Sequence, residues 1–187
     1  EKFPLVLSTM STSVTFVRAE EFSDLRTYDA PPDVLRYVMG FGDTPPEKAL
    51  TGPMQKLLDG GFIQSVRMCV DEMASPPTRR SGPPRRSRWP PRIDSPMGAI
   101  QPGQVAGRKF HWEALVGGEV VVRITVNWFM GQENLDPPWT FGPAGERYEM
   151  EVKGNPDFTV TVKGFQPDSV AEGLESNNGI VATQHTA

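Results

Sequence analysis

Four apolar segments between Gln104 and Phe165 constrain the fold of this 187-residue chain more than any other feature. Each is rich in Val, Ile, Phe, Thr or Trp, and each is bounded by turns that contain glycine. Apolar and polar residues alternate clearly in YEMEVKG and FTVTVKG, which is typical of antiparallel strands. The sequence therefore predicts a four-stranded meander formed by the segments 104–116, 119–130, 146–154 and 158–165.

One apolar face of this meander needs a cover, and the flanking segments 1–71 and 167–187 carry helical patterns that supply it. The predicted fold class is α+β, with a largely antiparallel, mixed sheet of four or more strands covered by helices on one face. Because apolar residues occur on both sides of the meander, its other face is predicted to be a dimer interface. The whole chain, 1–187, is predicted to form a single domain.

The residues outside the meander predict one long strand, a short strand between two turns within 94–103, and several helices. Proline in a first turn and glycine after a last turn mark the helix ends. A helix over 62–73 is amphipathic because its apolar residues recur at helical spacing. The predicted elements are a helix over 1–12, a strand over 13–22, helices over 31–40, 45–61 and 62–73, and a last helix after Pro167.

The composition indicates a globular protein. Hydrophobic residues make up 37% of the chain, charged residues 22%, and the net charge of −4 disfavours a dedicated nucleic-acid binder. No apolar run approaches the roughly 18 residues that span a bilayer, so no membrane association is expected. Cys69, the one cysteine, fits a reducing compartment and predicts a cytoplasmic protein. Its place on an apolar helical face favours a buried structural thiol over a nucleophile.

The segment 74–92 differs in composition from the rest of the chain. It holds six prolines and six arginines in nineteen residues, and removing those arginines from the net charge of −4 leaves −10. Such a composition predicts a disordered insert in which neither helix nor strand persists. A solvated loop is favoured over a phosphate-binding segment. A local reading-frame error in a GC-rich gene is the third interpretation.

No complete catalytic motif occurs, and the chain has only two histidines, so no metal site is expected. Asn127 and Trp128 end the second meander segment, where a polar group among aromatic residues is typical of a pocket lining. Closure of an aromatic core is the equally weighted alternative. Tyr28 follows the predicted strand, at a strand end that offers a side chain to a ligand, although a tyrosine that packs against a turn is favoured.

Several strings together, in this order and spacing, resemble a known family: FPLVLSTM, LRTYD, VMGFG, GPMQKLLDGGF, IDSPMGAIQPGQVAG, NWFMGQENLDPPWTFGPAGERYEMEVKG and GIVAT. The chain resembles the C-terminal region of the dihydrodipicolinate reductase-like oxidoreductases. Within them it is most similar to the branch of 2,4-diaminopentanoate dehydrogenase and the NAD(P)H-dependent amine dehydrogenases. The resemblance covers nearly the whole chain except 74–92.

The resemblance implies a two-domain enzyme in which an N-terminal Rossmann domain holds NAD(P)H. This chain has no such domain, and both of its ends are expected to be cut. It is therefore interpreted as the substrate-binding and oligomerisation domain, which has no catalytic residue, binds no cofactor alone and forms a homo-oligomer. Tyr28, Asn127, Trp128 and Thr183 fall in regions that match the substrate pocket. Their implied role is to orient and shield the carbon that accepts hydride.

The substrate inferred from these residues is uncharged or cationic, such as a ketone with ammonia or an amino ketone. The His-His and lysine motif with which true dihydrodipicolinate reductases bind a dicarboxylate has no counterpart here, and the folded part is acidic. Two rival interpretations remain open. One is a stand-alone, non-catalytic small-molecule binding domain, and the other is an interaction protein that uses the Arg/Pro-rich segment.

Overall fold

The structure of the chain is a computed structural model, and it describes residues 2–27, 30–42, 53–73, 78–81, 93–95, 97–139 and 146–163. The helix predicted after Pro167 and the residues Tyr28 and Thr183 lie outside these ranges. So do residues 45–52, at the start of the helix predicted over 45–61.

The described part contains two α-helices and eight strands. Helix α1 spans Lys2–Thr9 and helix α2 spans Pro53–Glu72. Short 3-10 turns, Leu25–Thr27 and Gln132–Asn134, follow two of the strands, and Val34–Val38 forms a π-helical turn. The strands β1 to β8 are, in chain order, Thr12–Asp24, Thr78–Ser81, Ile93–Ser95, Gly98–Ile100, Gly107–Val116, Glu119–Phe129, Arg147–Asn155 and Phe158–Val162.

Six of these strands form one mixed sheet in the order β2-β5-β6-β1-β7-β8, and β3 pairs with β4 in a separate hairpin. Strand β1 lies between β6 and β7, parallel to β6 and antiparallel to β7. The predicted α+β class with a largely antiparallel, mixed sheet is confirmed. The uninterrupted meander is wrong, because β1 separates its second and third strands and pairs with both.

The prediction that no strand persists within 74–92 is also wrong. The backbone of Thr78–Ser81 pairs antiparallel with residues 112–115 of β5, at the edge of the sheet. Backbone hydrogen bonds to a neighbouring strand are available to any residue except proline, and this stretch of four residues contains none.

Helices α1 and α2 cover one face of the large sheet. Alternate residues of the strands, with the inward faces of both helices, form a first core cluster that excludes water. The spacing predicted for residues 62–73 is confirmed, since Val66, Cys69 and Val70 are all buried there. The buried members of the first core cluster are Leu7, Val17, Val66, Cys69, Val70, Phe110, Trp112, Ala114, Val122, Ile124, Val126, Tyr148, Met150 and Val152.

Two predicted helix boundaries need correction. Helix α2 continues through Gly60 and Gly61, where the sequence predicted one helix to end and another to begin. Glycine disfavours a helix interior by only about 1 kcal/mol, and the packing of residues 62–70 on the sheet outweighs that. The helix predicted over 31–40 is reduced to the five-residue turn Val34–Val38, which ends before Gly40.

A second core cluster lies at the carboxyl ends of β1 and β6. It brings together the end of β1, the turn at Val34–Val38, the β3–β4 hairpin and the segment after β6. Its buried members are Phe22, Leu25, Leu35, Met39, Phe41, Met97, Ile100, Val105, Ala106, Phe129, Met130 and Leu135. This cluster fixes the two parallel strand ends relative to each other.

The face of the sheet opposite the helices carries rows of charged side chains, and we call it the open face. The expectation of apolar residues on both sides holds only in part, since this face carries Phe16, Phe22 and Phe129 among mostly charged side chains. Within the ranges listed above, no helix is long and apolar enough to cross a membrane. The charged residues of the open face include Arg18, Glu20, Asp24, Lys109, Glu113, Arg123, Arg147, Glu149, Glu151 and Lys153.

Candidate functional site

The carboxyl ends of β1 and β6 lie side by side because these two strands are parallel. Residues 20–24 of β1 align with residues 125–129 of β6. Polar side chains gathered at such a junction are typical of binding sites in mixed sheets. We call the group Glu20, Glu21, Asp24, Asn127 and Trp128 the strand-end site.

Asn127 reaches the strand-end site from the open face and is fully buried. Its Nδ2 donates to Glu20 Oε1 and to the carbonyl oxygen of Glu21, both at 3.0 Å. Its Oδ1 is buried and accepts no hydrogen bond from the residues that the structure describes. Because a buried acceptor without a donor is unfavourable, this oxygen favours a ligand or solvent donor beside it.

Trp128 points to the opposite face of the sheet, the face covered by the helices. Its Nε1 donates to Glu21 Oε1 at 3.1 Å, and its ring meets Phe110 edge to face, with centroids 5.8 Å apart. Consecutive residues of β6 thus bond to consecutive glutamates of β1, one pair on each face. The two predicted substrate residues are neighbours in the chain, but their side chains are separated by the sheet.

Glu21 is a carboxyl group in weakly polar surroundings. Ser23 Oγ donates to its Oε1 at 2.7 Å, in addition to the Trp128 indole. Burial raises the pKa of Glu21, and these two hydrogen bonds offset only part of that effect. The carboxyl is therefore suited to hold or release a proton closer to neutral pH than an exposed glutamate.

Asp24 connects β1 to the segment that follows β6. Its carboxylate, which is buried, accepts from Arg26 Nε at 2.9 Å and from the backbone N–H of Gly131 at 3.3 Å. The hydrogen bond to Asp24 raises the pKa of Arg26. The backbone N–H of Asp24 donates in turn to Glu146 Oε1 at 3.0 Å. Asp24 therefore holds the two strand ends in register and leaves Glu21 and Asn127 in fixed positions.

Two buried arginines flank the strand-end site. Arg108 donates to the carbonyl oxygen of Met39, lies 4.5 Å from the centre of the Phe110 ring, and has its pKa lowered by burial to about 10. Arg147 lies 3.7 Å from the centre of the Phe22 ring and donates to Glu149 Oε1 at 2.7 Å. Both guanidinium groups therefore pack on aromatic rings.

Sequence reasoning identified Asn127 and Trp128 but missed the acidic residues to which they bond. The run Ala19-Glu20-Glu21-Phe22 carried a usable signal, because two consecutive glutamates within a strand must point to opposite faces. One of them had to face the helices. Which one did so depended on the register between β1 and β6.

No cluster of three or more His, Cys, Asp or Glu side chains suited to a metal ion occurs within the described ranges. The chemistry that the strand-end site supports is hydrogen bonding and proton exchange by carboxyl and amide groups. No protein-family model matches this chain, and no curated protein sequence matches it.

Proposed function

We propose that this chain is the substrate-binding and dimerisation domain of a cytoplasmic NAD(P)H-dependent oxidoreductase that acts on a carbonyl, imine or amine substrate. The observation that carries the proposal is the acidic character of the strand-end site, where Asn127 and Trp128 each bond to a glutamate. The order and spacing of the motifs that resemble dihydrodipicolinate reductase-like enzymes support the same assignment.

The charges at the strand-end site favour a neutral or cationic substrate over a dicarboxylate. Of the three carboxyl groups at this strand end, Glu20 pairs with Arg18 and Asp24 with Arg26. Glu21 is the one that bonds to neutral donors, the Ser23 hydroxyl and the Trp128 indole. A second anion there would be repelled and would lose its hydration without a matching donor. An amine or imine nitrogen, in contrast, donates hydrogen bonds to an acceptor such as the Glu21 carboxylate.

In this proposal Trp128, beside Glu21 on the helix-covered face, orients the substrate and shields the carbon that accepts hydride, while Asn127 fixes Glu20 and the end of β6 from the opposite face. Tyr28 and Thr183, which lie outside the described ranges, belong to the same proposed pocket. The chain contains no glycine-rich dinucleotide fingerprint, so another domain of a longer protein would hold NAD(P)H. The bound nicotinamide would supply the hydride. The residues of this chain would bind the substrate, exclude water and supply proton-exchanging groups.

The same proposal includes a homo-oligomer in which two copies of the chain contact each other through the open face. Basic and acidic side chains alternate on this face, in pairs such as Arg123 with Glu113 at 2.7 Å and Arg18 with Glu151 at 3.2 Å. A surface with balanced, alternating charge is complementary to a second copy of itself about a two-fold axis. Sedimentation velocity of the protein with Arg123→Glu, compared with the wild type, tests this contact.

The activity is tested on the full-length protein that contains this chain. NADH and NADPH oxidation is followed with small ketones plus ammonia and, separately, with a cyclic dicarboxylate. We expect turnover only in the first case. Asn127→Ala and Trp128→Phe should each lower kcat/KM by about 10–100-fold, or about 1.4–2.7 kcal/mol of transition-state stabilisation.

The matched control is Thr161→Ala, on the exposed edge strand β8 and away from the strand-end site, which should leave kcat/KM unchanged. Turnover of the dicarboxylate alone would contradict the proposed substrate class. Ligand binding without any nicotinamide-dependent turnover would instead favour the stand-alone binding domain.

A further inference from the structure

Glu21 occupies an unusual place on the face of the sheet that the helices cover. The residues aligned with it across four neighbouring strands are Phe110, Val126, Tyr148 and Val162. Apart from the tyrosine hydroxyl, this row is apolar or aromatic. Glu21 and Trp128 nevertheless remain partly exposed.

No positive group among the described residues forms an ion pair with Glu21. Its hydrogen-bond donors, the Ser23 hydroxyl and the Trp128 indole, are both neutral. Arg108, a basic residue on the same face, donates to the carbonyl oxygen of Met39. A desolvated carboxylate with neutral donors alone is stabilised by any cation that reaches it.

We propose that Glu21 and Trp128 form a binding subsite for a primary ammonium group at the carboxyl end of β1. The subsite rests on the proposed function, since it assigns the positive charge of the substrate to a particular residue pair. It goes further in requiring the substrate to carry a charged amine when it binds, whereas a plain ketone or alcohol would not fill the subsite.

The chemistry of the pair selects this class of ligand. An ammonium group offers three N–H donors and a full positive charge, and the Glu21 carboxylate accepts a charge-assisted hydrogen bond while it donates none. The Trp128 indole and the Ser23 hydroxyl both donate to Glu21 Oε1, so they hold the carboxylate in place while its other oxygen, Oε2, faces the ammonium group. An alcohol offers one neutral donor, and a carboxylate would be repelled.

The test uses ¹H–¹⁵N NMR of the complete chain, because the Trp128 indole N–H bonds directly to the proposed ligand-binding carboxyl. The chain has four tryptophans, and the spectrum of Trp128→Phe assigns the signal. Propylammonium chloride is the probe, and propan-1-ol is its neutral control. We expect a saturable shift of the Trp128 signal with propylammonium that is lost in Glu21→Gln and absent with propan-1-ol.

A matched variant, Glu113→Gln, removes a carboxylate from the open face and should leave the shift intact. The wild type supplies a second test that needs no variant. Propylammonium stays charged between pH 4 and 8, so its affinity should rise about tenfold per pH unit until Glu21 is deprotonated and then level off. An affinity that does not change over this range, or an equal shift in Glu21→Gln, overturns the subsite.

The two proposals fail separately. Amine-dependent NAD(P)H turnover that Glu21→Gln leaves unchanged overturns the ammonium subsite and leaves the proposed function standing. Propylammonium binding that depends on Glu21, in a full-length protein without nicotinamide-dependent turnover, supports the subsite and overturns the enzyme assignment.

Discussion

The two faces of the large sheet are built from the same strands but are stabilised in different ways. On the helix-covered face, alternate residues bury apolar and aromatic side chains such as Val122, Val126 and Trp112. On the open face, the intervening residues form ion pairs that link neighbouring strands, with Arg18 between Glu20 and Glu151. One face therefore depends on exclusion of water, and the other on charge pairing that is sensitive to salt and pH.

The alternation of residues along a strand shows which side chains are buried. The ion pairs between strands on the open face show how neighbouring strands are aligned. Burial lowers the pKa of Arg18, but the carboxylates of Glu20 and Glu151 outweigh it and raise that pKa overall. The side chain of Arg18 is only 21% exposed, so its pairs lie between freely solvated surface pairs and a buried cluster. Four predictions test this contrast.

The largest effect is expected on the helix-covered face. Trp112 is buried, stacks on Phe62 with ring centroids 4.3 Å apart, and donates to Asp59 at 2.9 Å. Trp112→Ala should lower the free energy of unfolding by about 3–5 kcal/mol, measured by urea denaturation, because it leaves a cavity beneath α2. Trp112→Phe, which keeps a ring, should lower it much less. Equal losses would mean that the hydrogen bond, not the packing, holds α2.

A smaller, salt-dependent effect is expected on the open face. Arg18→Met removes the cation between Glu20, Glu149 and Glu151, and should lower the free energy of unfolding by about 2 kcal/mol. The loss should shrink in 1 M NaCl, because salt screens the attraction between Arg18 and these carboxylates. Lys153→Met, at a more exposed pair, serves as the control. A loss that salt leaves unchanged would contradict charge pairing.

A gain in stability is expected from substitutions in helix α2, which covers the apolar face of the sheet. A Cβ added at Gly60 or Gly61 meets no atom of the described residues within 4 Å, so each glycine lowers the stability of α2 without a packing reason in that part of the chain. Gly60→Ala and Gly61→Ala should each raise the free energy of unfolding by about 0.5–1 kcal/mol. Gly131→Ala is the contrast, since its φ is +79° and a Cβ there would crowd Asn134 and Arg26. A loss at Gly60 or Gly61 would show that the helix must bend there.

The smallest effect is expected at Glu21, an ionisable residue on the helix-covered face, whose other residues are stabilised by the exclusion of water. Its pKa is raised above the ordinary value of 4.5, so the folded chain binds the proton more tightly than the unfolded chain. The free energy of unfolding should therefore fall as pH rises from 4.5 through the raised pKa. Glu21→Gln removes this fall, so its stability relative to the wild type should be constant below pH 4.5 and increase above it. Urea denaturation from pH 3.5 to 8 measures the difference, and a constant difference over this range would contradict burial of the charge.

Much of the fold was predictable because its signals are local. Alternation located β5 to β8 and β1 to within a few residues, and helical spacing identified the buried face of residues 62–73. The strand at Thr78–Ser81 was not predictable from composition, since its backbone finds a partner in β5 whatever its side chains are. The candidate site was only half predictable, because Asn127 and Trp128 were visible as strand-end residues while their partners Glu20 and Glu21 were not.

The sequence by itself determined which residues form strands, which side chains alternate and which helix face is apolar, since all of these depend on neighbours within a few residues. The tertiary structure alone decided that β1 lies between β6 and β7. It also decided that Glu20 faces the open side and Glu21 the helices. The physical reason is that strand pairing uses backbone hydrogen bonds, which are nearly the same for every residue. Register and strand order are therefore set by how the whole sheet buries its apolar face.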